Sequence, residues 1–453
     1  MIGSAVQNLI TLTDTIFLGR VGEIELGAIG LVGVFYLMIA SIGYSFSKAG
    51  QIMIARRVGR KELHQIGSIT YSMAAFSLVL AFGLFLFMQF GADAFFGLFL
   101  NDQDIYRACI DYLSYRSIGI FFSYAGVIIV ALYTGVGRTT VIIYNALVLG
   151  LVNTALNYGL IFGKWGLPEM GIAGAGLAST IAEGLAFFVF IIYILRDKKA
   201  RAYGLFEMPE IDLRNIPLPA NTDEIPLDKI SPIKHTKIDL TIIKSQLKLS
   251  MPIVLQSVVG MGSWFIFFVI VEDMGKTPLA ISNIMRAVYL LFMIPCWGFA
   301  SGVNTIVSNL IGKNQKEEVF AATTKTAFLC FVCTMLCTTM LWFFPEYVLS
   351  ISTDDSNLVA ASAPLIPILS IVLAVFSIGA IYFNGLVGTG ATNQALWLQI
   401  ACVVLYLSYI YIVVHVLNAG LLVAWMAEFY YWVACFLLSI WYLRSRKWYT
   451  IKV

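Results

Sequence analysis

Charge is scarce in this chain. Only 12% of its 453 residues are Asp, Glu, Lys or Arg, against about a quarter in ordinary soluble domains. The net charge of +3 is too small to call for a nucleic-acid partner. Histidine is scarcer still. His64, His235 and His415 lie in loops or near the ends of apolar runs, so zinc and haem chemistry are not expected. Seven cysteines fall inside or beside apolar runs. Cys330, Cys333 and Cys337 share a helical face without a histidine or an acid, which suits small buried hydrophobes better than metal ligands. No intramembrane Ser–His pair, paired Asp or metal-ligand motif supports an enzyme, and no cofactor is expected. The first residues lack a basic n-region and a small-residue cleavage site, so a secretory leader is not expected. The opening apolar segment begins at Met1 and spans about 19 residues, as expected of a start that removes the tip of a first helix.

What the chain has is apolar length. It is 59% hydrophobic with a mean hydropathy of +0.85. Apolar runs of about 20 residues recur throughout, the length a helix needs to cross a bilayer. A β-barrel would instead show segments of about 10 residues with strict alternation. The chain is therefore expected to be an all-α polytopic membrane protein. Twelve segments can be counted, at about 1–19, 26–55, 67–90, 112–134, 140–162, 171–195, 250–271, 279–311, 322–344, 359–388, 394–417 and 420–443. The stretch 196–248 carries Pro209, Pro217, Pro219, Pro226 and Pro232 with many charges and reads as a cytoplasmic linker. Its end, Ile238 to Leu249, is expected to form a short interfacial helix. Residues 1–195 and 249–453 then form two halves of six helices each.

Basic residues mark one side. Arg56, Arg57, Arg60 and Lys61 follow the second segment, Arg138 the fourth, and Arg196, Lys198, Lys199 and Arg201 the sixth. Lys313 and Lys316 follow the eighth, and Arg444, Arg446 and Lys447 the twelfth. The alternate loops carry Glu23, Glu25, Asp102, Asp104, Asp354 and Asp355. The positive-inside rule places both termini in the cytoplasm of a multi-pass protein of the cell's inner (plasma) membrane.

The halves are related in sequence. Gly22, Leu26 and Ala28 lie opposite Gly275, Leu279 and Ile281, each pair 253 positions apart. Gly135-Val136-Gly137-Arg138-Thr139 matches Gly388-Thr389-Gly390-Ala391-Thr392 at the same offset, and Gly59 matches Gly312. Ala182-Glu183 resembles Ala427-Glu428 at a slightly shorter offset. Six crossings per half make the repeats parallel, a geometry of transporters with a substrate site between two rocking halves.

Polar residues inside these segments are costly and mark function. Gln7, Thr11 and Asp14 form one stripe on the first segment. Asp14 is placed to exchange a proton or to pair with a hard cation such as Na+ through oxygen ligands. Asn153 and Asn157, spaced i and i+4, face one way on the fifth segment, and Ser179 and Thr180 on the sixth add hydroxyls. An Asn pair is also common interhelical glue. The second half lacks this set: Phe267, Tyr406 and Ile410 stand 253 positions after Asp14, Asn153 and Asn157. It carries Glu272, Asn283, Arg286, Ser377, Asn384 and Glu428 instead. Glu272 and Arg286 flank a short turn and can pair. Glu428, among Trp425, Phe429, Tyr430 and Trp432, can face a cavity or snorkel to the interface. Lys48 is expected to snorkel, and with Arg286 it is the chief intramembrane cation.

The run Thr13-Asp14-Thr15-Ile16-Phe17-Leu18-Gly19, with Gly22 and Leu26-Gly27-Ala28, resembles the first-helix signature of the multidrug and toxic compound extrusion (MATE) transporters. Asn153 to Asn157, Gly135-Val136-Gly137 and Pro168-Glu169-Met170-Gly171 are similar to that family as well, and the resemblance covers essentially the whole chain. It implies twelve helices in two pseudo-symmetric six-helix lobes. It also implies secondary active antiport, in which drugs or organic cations leave in exchange for Na+ or H+ by alternating access. Asp14 then matches the acid on which coupling depends, Asn153 a ligand that with Asp14 can hold Na+, and Gln7 a cavity position. The coupling set is Asp14, Asn153, Asn157, Ser179 and Thr180. The substrate cavity draws on Gln7, Thr11, Glu428, Asn283, Arg286 and Ser377. Two departures matter. Asn157 stands where some members have Asp, and the acids that members with a second-lobe cation site carry near Gly260 or Ser377 are missing. Coupling is therefore expected in the first lobe. Small amphiphilic or cationic substrates and the bilayer are the partners, and the protein is expected to act as a monomer. The alternative is a flippase for a lipid-linked saccharide or other amphiphile, which the scarcity of intramembrane cations argues against.

Overall fold

The computed structural model describes residues 13–14, 17–100, 102–206, 209–211, 236–350 and 355–451. Most of the first apolar segment, with Gln7 and Thr11, lies outside these residues. Among them, ten helices are long and apolar enough to cross a membrane, and eleven if one bent pair counts as a single span. The protein is thus a multi-pass helical membrane protein. Besides helices and helical turns, the described residues hold a parallel pair of three-residue strands, Pro209–Ile211 and Thr236–Ile238.

The chain divides into two compact units, Leu9–Lys248 and Leu249–Val453. In the first unit the helices are α1 (Glu23–Gly59), α2 (Gln65–Leu86), α3 (Ala92–Phe99), α4 (Gln103–Arg116), α5 (Gly119–Gly135), α6 (Thr140–Phe162) and α7 (Gly171–Arg196). The second unit contains most of α8 (Leu240–Glu272). After it come α9 (Lys276–Gly312), α10 (Glu318–Phe343), the short α11 (Pro345–Ser350) and α12 (Ser356–Ser362), then α13 (Ile366–Gly388), α14 (Thr392–Tyr411) and α15 (Leu421–Arg444).

The 253-residue repeat is visible in the helix boundaries. Both ends of α1 and α9 and the starts of α2 and α10 fall at that offset, as do the ends of α5 and α13. The repeated Gly-x-Gly has one physical reason in both units. The first glycine lets two helices approach closely. A Cβ at Gly135 would lie 2.8 Å from Ile54 and 3.1 Å from the Gln51 carbonyl, and one at Gly388 would lie 3.0 Å from the Asn304 backbone. Gln51 and Asn304 are themselves 253 positions apart. The second glycine takes φ of 75° at Gly137 and 87° at Gly390, which ends the helix in a conformation costly for other residues.

Three expectations are corrected. The fourth segment is two helices, α4 and α5, bent by 55° at Ser117–Ile118. The α4 part starts before the apolar run because Asp102 caps it, accepting from the Asp104 and Ile105 backbone N–H groups at 2.9 and 3.1 Å. The third segment continues past α2 through one π-helical turn, Phe87–Gly91, into α3. No separate interfacial helix ends the linker. Residues from Leu240 onward run without a break into α8, which keeps Pro252 inside it, as membrane helices tolerate.

Each unit has its own apolar core. In the first, Leu18, Val32, Tyr36, Tyr112, Tyr124 and Ile161 belong to it. In the second, Phe267, Met285, Tyr289, Leu373, Ile410 and Trp425 do. Many large apolar side chains point outward instead, with Val79, Leu151 and Phe343 more than 70% exposed. Hydrocarbon around the helices removes the cost of that exposure. The linker leaves and rejoins the first unit at neighbouring points on α2. The Tyr71 hydroxyl donates to the Leu205 carbonyl at 2.7 Å, and the Asp239 N–H donates to the Ser72 hydroxyl at 3.1 Å.

Candidate functional site

In the first unit, Asp14 is brought to the polar face of α6. Asp14, Asn153 and Asn157 are all buried, the two asparagines completely. The i, i+4 spacing stacks the asparagines on one side of α6. Asn157 Nδ2 donates to Asp14 Oδ1 and, at 3.1 Å, to Asn153 Oδ1. Asn153 Nδ2 donates to the Ser179 hydroxyl on α7 at 2.9 Å. Asn157 Oδ1 is buried and accepts no hydrogen bond. A buried carboxylate, two amide oxygens and a hydroxyl therefore lie together, and one of those oxygens has no donor among the described residues. Oxygen sets of this kind suit hard cations. Thr180 turns away and donates to the Tyr115 carbonyl at 2.9 Å.

A feature absent from the sequence reading stands next to this cluster. Arg116, at the end of α4, and Glu183, on α7, form a two-pronged ion pair at 2.8 and 2.5 Å. The guanidinium carbon lies 3.8 Å over the Tyr36 ring, and the charge also attracts Asp14. The available signal was an acid inside the apolar sixth segment. Its partner is 67 residues away, too far for any helical spacing to reveal. Arg116 joins Lys48 and Arg286 as an intramembrane cation, which corrects the expected inventory, but Glu183 already neutralises it.

The second unit has different chemistry at the equivalent positions. Phe267 and Tyr406 stack with centroids 5.9 Å apart, and Ile410 is fully buried beside them in the core. The Tyr406 hydroxyl donates to Glu428 Oε1 at 3.0 Å, and Trp264 Nε1 donates to the same oxygen at 2.8 Å. Glu428 is buried in the helix bundle and does not snorkel. Ser377 is buried as well, and its hydroxyl turns back to the Ala374 carbonyl at 2.7 Å. Asn283 and Arg286 are exposed. Asn283 bonds to the Leu279 carbonyl of its own helix. Arg286 lies over the Phe268 ring at 4.8 Å and forms no ion pair with Glu272 among the described residues, against the expected pairing. The side chains assigned to a substrate cavity in this unit thus sit in separate surroundings.

A family model for MatE matches residues 1–159 and 252–412. The chain belongs to the MatE family. The two matched stretches end 253 positions apart, so the family model meets the repeat twice, in register. Among relatives of this MatE chain, a probable multidrug resistance protein NorM of Thermotoga maritima is 22% identical over 428 residues, covering 93% of this chain and 85% of the relative. One from Rhizobium meliloti is 30% identical over 204 residues, 44% of this chain and 43% of the relative. One from Agrobacterium fabrum is 25% identical over 207 residues, and the match spans 44% of that protein. Two of these three alignments thus span less than half of the relative's length. The fold is shared with an outward-facing multidrug resistance MATE family transporter of the MOP superfamily, at a TM-score of 0.83 and 20% identity, over 99% of this chain and 94% of that one. A MOP superfamily transporter from Pyrococcus furiosus, whose binding pocket has been described as reversed in polarity, matches at a TM-score of 0.82 and 19% identity. It covers 98% of this chain and 93% of its own.

Proposed function

We propose that this MatE protein is a secondary active antiporter that exports drugs or organic cations in exchange for Na+ or H+ by alternating access. It acts as a monomer in the plasma membrane, with both termini in the cytoplasm. The observation that carries the reading is the buried Asp14 hydrogen-bonded by Asn157, in a cluster that includes Asn153 and Ser179. A carboxylate with no direct ion pair among the described residues is costly to keep charged in such a place. Binding a proton or a cation removes that cost, and this links site occupancy to the conformation of the helices that carry it. Asp14, Asn153 and the unpartnered Asn157 Oδ1 are the groups that would hold Na+. The relatives' description as multidrug resistance proteins supports the substrate class.

The test is efflux of a fluorescent organic cation from proteoliposomes under separately imposed Na+ and pH gradients. Wild-type efflux should require one gradient, and Asp14→Asn should reduce it by about tenfold to a hundredfold, the size of a typical coupling free energy. Transport by Asp14→Asn at the wild-type rate under both gradients would refute the assignment. Absence of wild-type efflux under either gradient would bring the flippase reading forward.

A further inference from the structure

Glu428 is a buried carboxyl with hydrogen-bond donors and, among the described residues, no counter-ion. It is 5% exposed. Oε1 accepts from Trp264 Nε1 of α8 at 2.8 Å and from the Tyr406 hydroxyl of α14 at 3.0 Å. Oε2 has one long contact, 3.4 Å to the Tyr289 hydroxyl of α9. That hydroxyl already accepts from Trp432 Nε1 at 3.0 Å.

The groups packed around the carboxyl carry no positive charge. Tyr289 faces it from α9 and Tyr406 from α14, and Tyr431 and Cys435 are near. Among charged residues, α13 has none, and α9 has Lys276 at its first position and Arg286 at an exposed position over Phe268. Glu272 ends α8, Arg444 ends α15, and His415 just beyond α14 faces Asp273 at 3.5 Å. The comparison with the first unit sharpens the point, because Glu183 there is neutralised by Arg116, whose counterpart 253 positions on is Leu369. An isolated carboxylate in such surroundings is unstable, and a proton is the ligand that needs no space.

We propose that Glu428 is a second proton-binding site, in the unit that lacks the Asp14 cluster. The two oxygens differ in the way a neutral acid requires. Oε1, with two donors, is the carbonyl oxygen. Oε2 carries the proton and donates it to the Tyr289 hydroxyl, which can accept because a phenol oxygen has two lone pairs. Opening the contacts to Trp264 and Tyr406 exposes the acid to water, where it releases the proton. Its part in transport rests on the antiport reading, whereas proton binding does not.

The test uses the full chain in lipid nanodiscs. Infrared spectra are taken across a pH titration for wild type, D14N, E428Q and E428D. A carbonyl-stretch band of a protonated carboxyl is expected in wild type and D14N, absent from E428Q, shifted in E428D, and reversibly lost as the medium turns alkaline. Gln replaces the neutral acid nearly atom for atom, so E428Q should melt close to wild type. Spectra in which wild type and E428Q differ only in carboxylate bands would overturn the proposal, and so would a band indifferent to pH at every value tested. In proteoliposomes, E428Q should lower efflux driven by a pH gradient by about tenfold. Wild type that transports nothing would defeat the antiport reading and leave the infrared result to decide Glu428.

Discussion

The two units share a backbone plan and differ in what fills it. At three positions in register, the first has Asp14, Asn153 and Asn157 and the second has Phe267, Tyr406 and Ile410. Hydrogen bonds join the first set, whereas a stacked ring pair and an apolar core hold the second. Each unit also keeps a glutamate on its last long helix, beside the equivalent residues Tyr36 and Tyr289. One acid is answered by an arginine and the other by aromatic N–H and O–H groups. A helical scaffold of this kind tolerates the exchange because its backbone bonds are satisfied within each helix. Side-chain chemistry is then free to diverge while the glycines that set helix contact stay in place.

The sharpest way to break the comparison is to make the first unit resemble the second. Arg116→Leu installs the residue found at Leu369 and leaves Glu183 buried without its partner. It should destabilise the protein by about 3–5 kcal/mol, read as a fall in melting temperature, and adding Glu183→Gln should recover most of that loss. The Gly-x-Gly pair gives a finer contrast. Gly388→Ala meets backbone atoms of Asn304, which cannot move aside, whereas Gly135→Ala meets the Ile54 side chain first. Gly388→Ala should cost about 1–3 kcal/mol and Gly135→Ala less, by the same melting assay. Asn157→Ile copies Ile410 and removes the donor to Asp14. It should weaken apparent coupling-cation affinity about tenfold, as loss of a supporting ligand contact does, measured as the half-saturating Na+ or proton concentration for efflux.

The smallest effect is expected outside the bilayer. The Arg57 side chain donates to Glu62 at 2.6 Å and holds its carboxyl below the usual carboxylate range. Stability from a lowered carboxyl is present above the ordinary value and is lost as pH falls through the lowered one. Melting curves of wild type and Glu62→Gln should therefore converge in acid, from a neutral-pH difference under about 1 kcal/mol for an exposed pair.

Much of this comparison could be read before any coordinates. The offset of 253 was legible because glycines at close approaches and left-handed turns resist replacement. Asp14 and the asparagines stood out because polar groups on one face of an apolar helix are few. The partners of the two glutamates were not legible. Arg116 lies where a polar helix meets an apolar one, so hydropathy blurred it, and it meets Glu183 only through tertiary packing. Trp264, Tyr289 and Tyr406 come from three helices and reach Glu428 over separations of 164, 139 and 22 residues. In a chain this rich in aromatics, no spacing singles them out. The continuous α8 was hidden by the charges near its start, which suggested an end where the helix goes on.

The two hydrogen bonds at Tyr71 and Ser72 change the meaning of the polar stretch between the halves. Leu205 and Asp239 are fastened to neighbouring residues on one helix, although 34 positions separate them in the chain. A reporter domain inserted between these two anchors should therefore leave the melting temperature of the helical units unchanged.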